Sequence, residues 1–229
     1  MALFYSIFQG SLARKGKFMR FWLFLAAFMS FALPARADMT VYELFTARDC
    51  PSCPRADELF GQITRANPQI IALSCHVTYF DRPGRADSLS APFCDGRQTG
   101  YKQSKVLDRI YTPAAVVNGM YAVKGNDKDA VMAGLSSSGV IETVKPIRLS
   151  VQGGYLNITL PAVTVSEPAD VWLFAYNNSN AVTFLTKLMR WNGKSVAMAF
   201  PVANVPAAGY AVIAQTTAQT QIFAAGKTN

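Results

Sequence analysis

Four cysteines carry most of the chemistry this chain of 229 residues can offer: Cys50, Cys53, Cys75 and Cys94. Cys50-Pro51-Ser52-Cys53 is a C-x-x-C that follows a short strand-like run and opens a helix-like one. A helix start presents unpaired N–H groups and the positive end of the dipole. A thiol held there loses its proton more easily and becomes a nucleophile near neutral pH. Cys50, nearer the helix end and expected to be the more exposed, is the attacking thiol; Cys53, one turn on, resolves the mixed disulfide. Arg48 and Arg55 favour the Cys50 thiolate and Asp49 opposes it. An inert Cys50–Cys53 bridge is the plainer reading, but so small a loop constrains the unfolded chain little.

The other two cysteines admit more than one role. A structural disulfide between Cys75 and Cys94 would pin a polar loop to a central strand, closing about 20 residues and adding around 3 kcal/mol. A second redox relay to Cys50 and Cys53 is the alternative, and four cysteines allow three pairings. His76, the only histidine, stands beside Cys75 and is either a hydrogen-bonded strand residue or a group near the thiols. Asp57 lies one turn past Cys53 on the same helix face, placed either to exchange a proton with it or to solvate the helix. One C-x-x-C and one histidine fall short of the four ligands of structural zinc, so no metal is expected. Copper carriage by Cys50, Cys53 and His76 is a minor alternative, since thiolate and imidazole suit that metal. No Gly-rich phosphate loop is present, and no organic cofactor is expected.

The elements that must position these groups are legible in outline. Thr40–Thr46 reads as a short strand, 51–66 as an amphipathic helix with Ala56, Leu59, Phe60 and Ile63 at helical spacing, and Ile70–Val77 as a strand buried on both faces. Together they make a βαβ unit with a parallel pair. Residues 81–104 read as an inserted polar loop with a short helix that Ser104–Ile110 would continue. Ala114–Val117 and Met120–Lys124 form a hairpin about Asn118-Gly119, and 127–136 a helix capped by Asn126 or Asp127. From about 144 the pattern becomes antiparallel β, with strands at 147–151, 155–160, 171–176, 196–201 and 210–215. The expected division is 1–37 signal peptide, 38–143 an α/β domain and 144–229 an antiparallel β domain or extension.

The amino-terminal segment reads as an export signal. Arg14, Lys15, Lys17 and Arg20 precede an apolar run, Phe21–Leu33, and Ala35-Arg36-Ala37 fits a cleavage site before Asp38. The run of about 13 residues is short for a membrane span. The net charge of +8 owes five of its 22 basic residues to these 37 positions, leaving 17 basic against 14 acidic. That mild excess gives no argument for nucleic acid. A periplasmic or secreted protein, free of the membrane once the signal is removed, is expected, in a compartment where disulfides persist.

At Cys50-Pro51-Ser52-Cys53 and Thr112-Pro113 the sequence resembles the thioredoxin superfamily. The resemblance implies a thioredoxin-like fold for 38–143, a redox role for Cys50 and Cys53, and a cis-proline at Pro113 facing them. It also implies that the Thr112 backbone pairs with an extended substrate. It offers Glu43, an acid in an otherwise apolar strand, as a proton partner of Cys53, although an offset of one residue turns the side chain to the other face. A closer resemblance is to a family of secreted bacterial proteins of unknown function with a thioredoxin-like domain. It rests on Glu43-Leu44-Phe45-Thr46, Cys50-Pro51-Ser52-Cys53-Pro54 with Ala56-Asp57, and His76 to Asp81. Arg97-Gln98 with Tyr101, Tyr111-Thr112-Pro113 and Val117-Asn118-Gly119 complete it. The Pro-Ser dipeptide implies an intermediate potential and leaves the direction of electron flow open. The function expected is an exported thiol–disulfide oxidoreductase acting on a protein or a small thiol or disulfide, with an unidentified redox partner. The alternative is a non-catalytic binding or assembly module with a static bridge.

Overall fold

The computed structural model describes residues 39–141 and 143–228, the side chains of 138–141 aside. The signal segment assigned to 1–37 lies outside the described residues. Among those described, no helix is long and apolar enough to cross a membrane. The described residues are mixed α/β, with three helices and twelve strands, most of them antiparallel.

The first sheet has the order β2-β1-β3-β4, built from β1 (Val41–Thr46), β2 (Ile71–His76), β3 (Ala114–Val117) and β4 (Tyr121–Lys124). β1 and β2 run parallel, and helix α1 (Cys53–Ala66) makes the crossover. β3 and β4 are the expected hairpin: Asn118 and Gly119 have φ of 48° and 72°, both left-handed, which matches the twist of the flanking strands. The turn is also tied to the sheet, since Val41 N–H donates to Asn118 Oδ1 at 2.8 Å.

Each strand of this sheet alternates between two different surroundings. Tyr42, Leu44, Ala72, Ala115 and Val117 pack against α1 and helix α3 (Lys128–Ile141), through Ala56, Leu59, Phe60, Ile63 and Val131. Val41, Phe45, Leu73, Cys75 and Val116 point the other way, into a core shared with helix α2 (Pro92–Gln103) and with the second sheet. That sheet has the order β5-β12-β11-β8-β9: β5 (Lys145–Pro146), β12 (Ile222–Lys227), β11 (Gly209–Thr216), β8 (Ala169–Tyr176) and β9 (Val182–Trp191). Its far side packs on a third sheet, β10-β7-β6, made of β10 (Val196–Pro201), β7 (Tyr155–Leu160) and β6 (Arg148–Gln152). The second sheet is therefore covered on both faces. Phe174, Ala211 and Ile213 face the first sheet; Val171, Leu173 and Val212 face the third. Double burial explains why β8 and β11 read as nearly unbroken apolar runs despite being antiparallel.

Three details differ from the expectation. α2 is a helix of 12 residues where a short helix in a polar loop was expected. It ends at Gln103, and Lys105, with φ 64°, prevents Ser104–Ile110 from continuing it. β9 and β12 are additional strands. β9 also meets the first sheet, where Ser74 N–H donates to Asn180 O at 2.8 Å.

Candidate functional site

The parallel order of β1 and β2 brings Thr46 and His76 side by side at the carboxyl ends of the strands. The segment leaving β1 turns at Ala47–Cys50 and enters α1 through Pro51 and Ser52. Cys53 is the first helical residue, and its N–H donates to Cys50 O at 3.2 Å. Cys50 and Cys53 form a disulfide with a Cα separation of 5.4 Å. Ser52 makes no side-chain cap, and its hydroxyl lies 3.7 Å from Cys50 Sγ. Cys50 was expected to be the more exposed of the two. Both are buried, Cys50 at 2% and Cys53 at 0% exposure.

The 81–91 segment is a built clamp rather than a loose insertion. Asp87 Oδ2 accepts from Arg48 N–H at 3.1 Å and lies 2.7 Å from His76 Nδ1; Asp87 Oδ1 accepts from Leu89 N–H at 3.0 Å. Asp81 accepts from Asp87 N–H and from the Ser90 hydroxyl. Arg48 Nη1 donates to Ala86 O, and Arg85 pairs with Asp49 at 3.2 Å. Burial pushes the Asp87 carboxyl up, but the His76 hydrogen bond and the two N–H donors outweigh it and hold it below its ordinary value. Asp57 behaves oppositely. Loss of hydration raises it, and the Thr46 hydroxyl and His76 offset only part of the rise.

Pro113 joins the same place. The Thr112–Pro113 peptide is cis. Gly125 N–H donates to Pro113 O at 2.9 Å. A Cβ on Gly125 would stand 3.1 Å from Pro113 Cβ, 3.4 Å from Ala56 Cβ and 2.7 Å from Leu44 Cδ1. Pro113 and Ala56 of the first turn of α1 thus close on Gly125 from two sides, and a side chain there would have to displace Leu44. The segment before it is held from α2: Gln98 Nε2 donates to Tyr111 O at 2.7 Å, and the Tyr79 hydroxyl donates to Gln98 Oε1 at 3.1 Å. Tyr79 keeps 46% of its surface exposed beside Phe80. Burial raises its phenol.

The remaining sequence candidates go elsewhere. Cys75 and Cys94 are bonded to each other, Cα atoms 5.3 Å apart, and fasten α2 to β2 on the sheet face away from α1. Glu43 belongs to that face too. Arg97 clasps it with Nε at 2.6 Å and Nη2 at 2.8 Å, the Tyr101 hydroxyl donates to it, and Arg97 also donates to Gln215 Oε1 on β11. The guanidinium lies 5.1 Å from the ring centres of both Tyr101 and Phe174. Glu43 is consumed in this buried knot and is not brought to the cysteines. Asp87 was not singled out from sequence, and Gln98 entered only through the family resemblance. A lone histidine on a buried-type strand needs a hydrogen-bond partner, a need that Asp87 meets. Among the described residues, no group of three or more His, Cys, Asp or Glu is arranged to hold a metal.

The chain belongs to the family described as protein of unknown function DUF1223, whose model matches residues 41–220. A crystal structure of a protein from Agrobacterium tumefaciens is similar at 27% identity, with a TM-score of 0.73, covering 82% of this chain and 92% of that one. No curated protein matches significantly.

Proposed function

We propose that this protein is an exported thiol–disulfide oxidoreductase whose α/β part is a thioredoxin-like core. The observation that carries the reading is the Cys50–Cys53 pair at the start of α1, with Pro113 and Ala56 of that helix's first turn both packed about Gly125. The strand–helix–strand crossover that delivers the cysteines and the hairpin that delivers Pro113 support a thioredoxin-like core. In the reduced protein, the Cys50 thiolate attacks a substrate disulfide and forms a mixed disulfide, displacing one substrate thiolate. Cys53 then attacks Cys50 Sγ and releases the second. Two electrons pass from the protein to the substrate, and the reverse sequence oxidises a substrate dithiol. Thr112 and Tyr79 flank the point where an extended substrate chain would lie. Two disulfides are compatible with an oxidising compartment, and the basic, then apolar, amino-terminal segment supports export to the periplasm or beyond.

The test is a titration of residues 38–229 in glutathione buffers, each cysteine followed by alkylation and peptide mass spectrometry. Cys50 and Cys53 are expected to titrate together between about −120 and −270 mV, while Cys75–Cys94 stays oxidised. The burial of Cys50 favours a second reading, a binding module with a static bridge. That reading requires the Cys50–Cys53 bridge to resist reduction below about −300 mV.

A further inference from the structure

We propose that Gln98 of α2 is a positioning residue for the substrate-facing side of the site, and that Tyr79, which it holds, selects an extended polypeptide over a small disulfide. The inference rests on reading Cys50–Cys53 as a redox couple and names the class of substrate that couple would take. Gln98 is 0% exposed, and both ends of its amide are used. Nε2 donates to Tyr111 O at 2.7 Å, two residues before Pro113, and Oε1 accepts from the Tyr79 hydroxyl at 3.1 Å. One buried side chain therefore ties the segment that follows β2 to the segment that leads into the cis peptide.

α2 grips the segment after β2 at two consecutive residues. Asp95 accepts from the Thr78 N–H at 2.8 Å and from the Thr78 hydroxyl, and Gln98 takes the hydroxyl of Tyr79. Asp95 and Gln98 are three residues apart, so they lie on one face of the helix. The helix is itself fastened at several points. Cys94 is bonded to Cys75, and Arg97 donates to Glu43 and to Gln215. Gln219 Nε2, from the turn between β11 and β12, donates to Arg97 O at 3.0 Å. A Cβ on Gly100 would meet that same Gln219 side chain at 1.8 Å, so the turn sits directly on the helix. Gln98 thus works from a fixed base.

What that base holds is an exposed ring with little freedom. Phe80 and Tyr111 pack against the core, whereas Tyr79 keeps 46% of its surface open although its one polar side-chain atom is bound. Its ring centre stands 5.4 Å from that of Phe80. A tyrosine tied at its hydroxyl offers a large apolar face already in place, and a partner that covers it pays less to order it. A polypeptide whose cysteine engages Cys50 continues along the Tyr111–Pro113 segment and lays an apolar side chain on this face. A small disulfide ends close to its sulfur and leaves the face uncovered. Tyr79 is the specificity residue in this scheme, and Gln98 acts through it and through the Tyr111 carbonyl.

The test mixes the reduced protein with hydroxyethyl disulfide, or with a short peptide that carries an internal disulfide and a phenylalanine beside one cysteine. Alkylation of the protein thiols over time gives a rate constant for each, and the readout is their ratio, peptide over small disulfide. Tyr79→Ala and Gln98→Ala are each expected to lower that ratio roughly 10-fold, the loss showing in the peptide concentration that half-saturates the rate. Tyr79→Phe keeps the ring, removes the tether and should lower it about threefold. Added to Gln98→Ala, Tyr79→Phe should change the ratio no further, because the tether is already gone. Serine in place of the peptide's phenylalanine should remove most of the parent's preference. Tyr79 is exposed, so its variants decide the matter even where Gln98→Ala fails to fold. If the parent reacts with both disulfides and Tyr79→Ala keeps the parent's ratio, the positioning role is wrong and the redox reading stands. If the parent reacts with neither, the redox reading fails and takes this inference with it.

Discussion

Two acid-bearing clusters lie on opposite faces of the first sheet, and they spend their charge differently. On the inner face, Glu43 is 2% exposed and Arg97 3%; the pair is bidentate, and Tyr101 and Gln215 satisfy further positions. Arg97 Nη1 has no hydrogen-bond partner, and the faces of Tyr101 and Phe174 take that place. Burial alone would push the guanidinium toward its neutral form, but Glu43 and Tyr101 hold it charged. At the carboxyl edge, His76 pairs with Asp87, and the Asp57 and Asp87 carboxyls are displaced in opposite directions. A buried acid whose every oxygen is answered holds a structure together; an acid at the edge, with fewer partners, responds to pH. The difference lies in the partners, since both acids sit on elements that are apolar along the same side.

Breaking the inner cluster should cost most. Arg97→Met strands Glu43 in the core and is expected to destabilise by about 3–5 kcal/mol in urea unfolding. Adding Glu43→Leu should recover most of that loss, because an apolar pair of similar volume avoids the desolvation both charges incur. Next comes the covalent tie on the same face. Cys75→Ala with Cys94→Ala opens a loop with a sequence separation of 19 and should cost about 3 kcal/mol. Cys50→Ala with Cys53→Ala, separated by 3, should cost clearly less, and equal losses would erase the distinction between a structural bridge and a working one.

The edge cluster should respond less and to pH. The Asp87 carboxyl is held low, so its stabilisation is present above the ordinary carboxylate range and is lost as pH falls through its lowered value. Asp87→Asn should therefore cost on the order of 1.5 kcal/mol at pH 7 and flatten the acid limb of the stability curve. Asp57 should show the smallest effect, with the opposite sign. Its carboxyl is raised, so ionisation favours the unfolded chain as pH climbs from the ordinary value toward the raised one. Asp57→Asn is expected to stabilise slightly at pH 7, by less than about 1 kcal/mol. Thermal melts of the variant at pH 4 and pH 7 measure that sign directly.

The parts of this molecule visible in its sequence are those specified locally. Ile71–His76 advertised a doubly buried strand, Asn118-Gly119 its own turn, and Cys50-Pro51-Ser52-Cys53 a helix start. α2 was seen only in part, because Arg97 and Gln98 are buried and Gly96 and Gly100 interrupt the pattern, so no apolar stripe marks its inner face. β9 is an edge strand with Thr183, Lys187 and Arg190 exposed, and β12 is made largely of small residues, so neither shows a clean alternation. The fate of Glu43 was hidden because its partners stand 54 and 58 positions away and the Gln215 that completes the cluster is farther still. Spacing marked Cys50 and Cys53 as a pair; tertiary pairing, which spacing does not show, tied Glu43 to Arg97.

Lys227 donates from Nζ to Pro68 O at 2.6 Å and to Ile70 O at 2.9 Å, just ahead of β2, and Ile222 and Ala225 complete the core over the first sheet. A ribosome makes β1 and β2 long before it makes these residues. Until β12 is translated, Ile222 and Ala225 are missing from the core over the first sheet, and Lys227 from the backbone ahead of β2. A premature stop ahead of Ile222 therefore leaves that core short of one strand, with its apolar surface more open to proteases.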